Sequence, residues 1–166
     1  MQLVAVIFQL QSLNQFGGVS ATHLDWTMVP YFRKSFMKHY IVAWAKSQDS
    51  FGDTDFIKLY DETYTDAVGV IRSVFDEWCD KNKDSFFAAT GLKKDDFRLD
   101  NKKKLDNRLY NSALCDTLQE LRQAVEAMYH NLNTLQSRSG DQLPFTSINY
   151  GTCTFEEGRL VTRALL

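Results

Sequence analysis

The residues best suited to chemistry stand together near the end of the chain. In Ser137-Arg138-Ser139-Gly140-Asp141-Gln142 a forked guanidinium lies among small residues. Small side chains let backbone N–H groups approach an anion closely. Arginine adds a fixed charge and a planar donor fork that suits phosphate. The chemistry on offer is therefore anion binding, with phosphate foremost. The same stretch also reads as an ordinary helix-to-strand connection, because Gly140 and Asp141 form turns and Pro144 cannot continue a helix.

No self-contained catalytic set accompanies this loop. There is no Gly-rich lysine motif for phosphates and no histidine pair at metal-ligand spacing. His23, His39 and His130 are far apart in sequence. Carboxylates are many, but no spacing singles out an acid/base pair. Cys79, Cys115 and Cys153 are an odd, widely spaced trio. They indicate neither a zinc ribbon nor a disulfide framework, and reduced thiols in a cytoplasm are the simplest reading. The formal net charge of -2 gives no reason to expect nucleic-acid binding. No basic leader with a cleavage site opens the sequence, and no uncharged apolar run reaches membrane-spanning length.

Behind the loop stand the elements that must position it. The 166 residues, 44% of them hydrophobic, can bury one core. Leu3, Val6, Ile7, Leu10 and Leu13 have helical spacing and predict a helix over 2–14 with that stripe buried. Phe16-Gly17-Gly18 ends it, and 19–24 reads as a strand. Asp25 or Thr27 can cap a helix over 28–46 with Pro30 in its first turn. Val29, Phe32, Phe36, Tyr40 and Ala43 form its inner stripe. Arg33, Lys34, Lys38 and Lys46 then lie on a solvated face, or some of them meet phosphates. A polar loop follows over 47–55.

Two helices carry heptad seams. One runs over 56–81 with Ile57, Tyr60, Tyr64, Ala67, Ile71, Val74 and Trp78. The other runs over 105–136 with Leu114, Leu118, Leu121, Val125, Met128, Leu132 and Leu135. An antiparallel pair within the chain and a seam shared with a second subunit both fit this pattern. The intervening 80–104 reads as a charged surface connection around Phe86 and Phe87. Alternation over 145–150 predicts a strand with Phe145 and Ser147 on one side and Thr146, Ile148 and Tyr150 on the other. A last helix starts at Cys153 or Thr154, with a capping box between Thr154 and Glu157. Both ends of the chain read as cut from something larger.

Two blocks of sequence carry a resemblance. One is Ser137-Arg-Ser-Gly-Asp-Gln-Leu-Pro-Phe-Thr-Ser-Ile-Asn-Tyr-Gly-Thr152, followed by Glu156-Glu-Gly-Arg-Leu-Val161. The other is Phe16-Gly-Gly-Val-Ser-Ala-Thr-His-Leu-Asp25 with Met28-Val-Pro-Tyr-Phe-Arg-Lys-Ser-Phe36. Taken in chain order, the second block upstream of the first, they resemble the catalytic large subunit of the anaerobic (class III, glycyl-radical) ribonucleoside-triphosphate reductase, so that the chain reads as an internal fragment of it. The resemblance implies an α/β fold, mostly helical by content, that is a piece of a ten-stranded α/β barrel with a long-helix dimerisation pair. The chain divides on this reading into 1–46 (helix-strand-helix), 56–136 (long helices with the 80–104 insert) and 137–166 (loop-strand-helix).

The resemblance also implies the function. Such enzymes make deoxyribonucleoside triphosphates for DNA synthesis by glycyl and thiyl radical chemistry, commonly with formate as reductant. A radical-SAM activase installs the glycyl radical, and a four-cysteine site holds structural zinc. The radical glycine and the zinc cysteines have no match in this sequence. No catalytic residue, metal ligand or cofactor is therefore assigned within the 166 residues. Cys153 stands where the family more usually has Asp. Ser137, Arg138, Ser139, Gly140 and Gln142 become effector-binding residues by this resemblance, while Gly17, Gly18, Ser147 and Asn149 lie on the substrate side. Nucleoside triphosphates and deoxynucleotide effectors are the expected ligands, and a second copy of the chain the expected partner. A helical dimerisation or nucleotide-sensing module descended from that subunit, without a reaction of its own, is the alternative.

Overall fold

A computed structural model describes residues 2–14, 18–47, 79–81, 83–101, 104–134 and 145–166. Its elements in chain order are α1 (Gln2–Asn14), β1 (Val19–Ala21), α2 (Leu24–Ser47), a 3-10 turn (Lys94–Phe97), α3 (Asn107–Thr134), β2 (Thr146–Ile148) and α4 (Glu156–Leu165). A further helical segment covers 83–90. The chain is thus an α/β protein, mostly helical, with one small sheet among the described residues. Its residues fall into two compact units, one of 1–32 with 117–166 and one of 33–116.

In the first unit β1 and β2 pair in parallel, with Val19 opposite Thr146, Ser20 opposite Ser147 and Ala21 opposite Ile148. Parallel neighbours need a long crossover, and here the whole of 22–145 supplies it. Both strands are shorter than predicted, and β1 is cut short because Leu24 already belongs to α2. The predicted faces hold over 145–148, where Phe145 and Ser147 are exposed and Thr146 and Ile148 half-buried, but not at Tyr150, which lies past the strand and is exposed.

Helix α1 has the predicted bounds but the wrong predicted face. Ala5 and Phe8 are buried, while Val6, Ile7 and Leu10 are 45%, 50% and 56% exposed. The helix carries no charged residue to mark an outer side, and its uncharged polar residues Gln2, Gln9, Gln11, Ser12 and Asn14 are spread around it, so periodicity does not choose the inner side. The side chains of Leu3 and Leu13 lie outside the described residues.

Helix α2 begins four residues before its predicted start, at Leu24. Pro30 therefore lies in the second turn, where it has no N–H to give the Trp26 carbonyl. Neither proposed cap performs that role. Thr27 donates its hydroxyl to the His23 carbonyl at 3.2 Å, and Asp25 turns towards another segment. The stripe of Val29, Phe32, Phe36 and Tyr40 is buried as predicted, with Ala43 half-buried. Its charges are less uniform than a solvated face requires: Lys34 and Lys46 are exposed, Arg33 is half-buried and Lys38 is buried.

The second unit is built on rings. Phe36 and Tyr40 of α2 meet Phe97 and Tyr110 edge-on, with centroids 5.4 Å apart for Tyr40–Phe97 and 5.3 Å for Phe36–Tyr110. Phe86 of segment 83–90 joins them 6.1 Å from Tyr40. Edge-to-face pairs at such distances add to the hydrophobic gain of burying each ring. The 80–104 stretch keeps the predicted exposure at Lys93, Lys94, Asp95 and Lys104, but it also sends Phe86, Phe97 and Leu99 into the core, which its charges did not suggest. Asp96 itself is buried: its carboxylate accepts the Lys93 N–H at 2.9 Å and pairs with Lys104 Nζ at 2.8 Å. The Lys104 bond first, then the Lys93 N–H, hold that carboxyl below its ordinary value.

Helix α3 is capped by Asp106, whose Oδ1 accepts the N–H groups of Arg108 at 2.8 Å and Leu109 at 3.1 Å. The Asp106 N–H in turn donates to the Tyr40 hydroxyl at 3.0 Å. Along α3 the buried line is Tyr110, Ala113, Thr117, Leu121 and Met128. The seam residues Leu114, Leu118, Val125 and Leu132 are half-buried. Leu135 and the whole seam from Ile57 to Trp78 lie outside the described residues.

Candidate functional site

The site is assembled where β1 turns into α2 and β2 runs out. Val19 N–H donates to the Phe145 carbonyl at 2.8 Å, and Asn149 N–H to the Ala21 carbonyl at 2.8 Å. Leu24 N–H then donates to the Asn149 carbonyl at 3.1 Å. Asn149 is therefore tied through both its backbone groups. Between Ala21 and Leu24 the chain bends through His23, whose φ of 55° is the only positive value among the described non-glycine residues. Gly151 makes the matching bend after β2, at φ 98°, a conformation costly for any side chain.

Asp25 joins the two bends. Its side chain is fully buried, and Oδ2 accepts the N–H of Gly151 at 2.9 Å and of Cys153 at 2.8 Å. Oδ1 accepts the N–H of Trp26 at 3.0 Å. Burial pushes this carboxyl up, but the backbone N–H groups of Cys153, Gly151, Trp26 and Thr152 outweigh that and hold it below its ordinary value of 3.8. An ionised carboxylate with several N–H donors satisfies what burial demands of a charge. The rim is polar and aromatic. Thr152 Oγ1 accepts the Trp26 indole N–H at 3.1 Å and lies 3.2 Å from His23 Nδ1. Trp26 packs edge-on against Phe155, with centroids 5.3 Å apart.

Cys153 is buried and sits over α4. A Cβ on Gly158 would overlap the Cys153 side chain, so only glycine lets the helix come this close. Helix α4 starts at Glu156 with Phe155 as its N-cap and without a side-chain capping bond. The predicted Thr154–Glu157 capping box is therefore absent. Thr154 lies one residue too early, and Glu157 is fully buried within the first turn. Cys153 precedes the helix instead of opening it.

Of the residues marked by sequence, Gly18, Ser147 and Asn149 are brought together along the strand pair. All three are exposed. Gly18 stands against Phe145, whose carbonyl would be 3.0 Å from an added Cβ. Ser147 faces Ser20 across the ladder. Gly17, Ser137, Arg138, Ser139, Gly140 and Gln142 lie outside the described residues. Sequence reasoning missed His23, Trp26 and Thr152 and misread Asp25 as a cap. The one available signal was Asp25 before an apolar helix, and capping explains such a residue equally well. No cluster of three or more metal-ligating side chains occurs among the described residues. The described cysteines, Cys79, Cys115 and Cys153, do not fit a zinc site of four thiolates.

Parallel strands drawn from two distant parts of a chain and joined through helices define an α/β arrangement rather than a helical bundle. The family model of the anaerobic ribonucleoside-triphosphate reductase matches residues 1–166, and the chain belongs to that family. A search of curated proteins found no match. The family's activity is the anaerobic reduction of ribonucleoside triphosphates, and its members are glycyl-radical enzymes. No described helix is long and apolar enough to cross a membrane.

Proposed function

We propose that these residues serve anaerobic ribonucleotide reduction by holding nucleotides and pairing two subunits, and do not themselves carry the radical. The effector deoxynucleotide is bound beside 137–144, with Arg138 on phosphate, Ser139 and Gly140 offering N–H groups and Gln142 reading the base. The ribonucleotide faces Gly17, Gly18, Ser147 and Asn149. The seams of 57–78 and 114–135 form the contact with a second copy. Formate, a radical-SAM activase and structural zinc belong to the complete cytoplasmic enzyme. The observation that carries this reading is the parallel pairing of β1 with β2. It unites the two sequence blocks that resemble the reductase and lines up Ser147 and Asn149 on an exposed face.

The loop over 137–144 follows the C-terminal end of α3, where the helix dipole is negative. That opposes phosphate by about 0.3–1 kcal/mol, whereas a charge-assisted bond from Arg138 contributes about 1.5–3 kcal/mol. Arginine therefore wins. Calorimetry with several deoxynucleoside triphosphates tests the assignment. Arg138→Ala is expected to weaken all of them, and Gln142→Ala to change the preference among bases. A folded chain that binds no nucleotide at millimolar concentration overturns the reading.

A further inference from the structure

We propose that Asp25 is a positioning residue for the ribonucleotide: by holding the exit of β2 it aims the Asn149 and Ser147 side chains. This rests on the reading of the strand-pair face as the substrate side. Asn149 is anchored upstream by the Ala21 carbonyl and the Leu24 N–H. Its downstream anchor is the Asp25 carboxylate, which takes the N–H groups of Gly151 and Cys153. Asn149 and Tyr150 are thus strung between two fixed points. Removing the second point leaves them at the free end of a ladder only three residues long on each strand.

The donor set shows what Asp25 is for. A helix cap would place its oxygen on N–H groups one turn inside its own helix. Asp25 instead directs Oδ2 at a segment more than 120 residues away in sequence. A buried carboxylate is a poor source of stability beside apolar packing of the same volume, but it fixes geometry. Both oxygens are needed. Asparagine has one acceptor oxygen, so in either orientation its NH2 group meets backbone N–H donors. The same tie sets Thr152, whose hydroxyl bonds Trp26 of the same helix turn.

The test compares the wild-type chain, Asp25→Asn and Ser147→Trp by calorimetry, with folding followed by circular dichroism. The probes are the four ribonucleoside triphosphates and, separately, the deoxynucleoside triphosphates. Asp25→Asn is expected to weaken ribonucleotide binding at least about tenfold while effector binding stays the same. A general loss of structure would weaken both, and that result, or unchanged ribonucleotide binding, overturns the inference. If Asp25→Asn does not fold, Asp25→Glu, which keeps the charge but moves the carboxylate by one methylene, is read in the same way. A wild-type chain that binds no ribonucleotide, or a Ser147→Trp variant that binds it normally, is instead a failure of the substrate-face reading.

Discussion

Asp25 is a charge taken out of water and stabilised by main-chain donors, and such groups report pH. Its folded value lies below the ordinary 3.8. A depressed carboxyl contributes stability that is fully present above the unfolded value and is lost as pH falls through the folded one. The advantage of the wild-type chain over Asp25→Asn in urea unfolding is therefore expected to be constant near neutrality and to shrink below pH 3.8. At neutral pH Asp25→Ala is expected to cost about 1–3 kcal/mol, since it strands the Cys153 N–H in the interior. An advantage that persists unchanged into acid would show that the carboxylate is not the stabilising form. Gly158 is the second sensitive residue. Gly158→Ala forces a methyl into the Cys153 side chain, and overpacking of this kind costs about 1–3 kcal/mol. Its thermal midpoint should fall, and an unchanged midpoint would mean that α4 shifts freely.

Among the elements, α3 has its start fixed by one side chain. Asp106 accepts two N–H groups of the first turn, and loss of such a cap typically costs about 1 kcal/mol. Asp106→Ala is expected to lose that amount in denaturant unfolding, and Asp106→Ser to recover most of it. The Tyr40 hydroxyl would keep its bond to the residue 106 N–H in both variants, because that bond uses backbone. Equal stability of all three chains would assign the helix start to packing alone. Helix α1 shows the opposite situation, a boundary legible in sequence with a face that is not. Its thirteen residues carry no charge and their polar groups mark no single outer side, and Ala5 and Phe8 rather than Val6, Ile7 and Leu10 turned inward.

For the whole molecule, the proposed assembly is a two-fold dimer through the long helices, in which one patch must serve both subunits. Sedimentation at rising concentration is expected to show the doubled mass. A mass that remains monomeric at the highest concentration would count against the dimer and leave an intrachain helix pair standing. The half-buried Leu114, Leu118, Val125 and Leu132 are the residues to substitute with charged groups in the same measurement. Such substitutions are expected to shift the equilibrium to monomer.

Composition and periodicity alone determined that the chain is mostly helical, that two short strands flank the long helices, and that Val29, Phe32, Phe36 and Tyr40 face inward. These features depend on spacing along a single element, which the sequence states directly. The family was legible for a different reason, since two ordered blocks keep the residue types that its loop and strands require. Only the tertiary structure decided the rest. Asp25 reads as a cap until Gly151 and Cys153 are brought to it from the other end of the chain. The 80–104 stretch reads as surface from its charges, because nothing local says that Phe86, Phe97 and Asp96 will close onto α2 and Lys104. Contacts between residues distant in sequence leave no periodic trace, and those contacts settle which charge is buried and which apolar face stays in water.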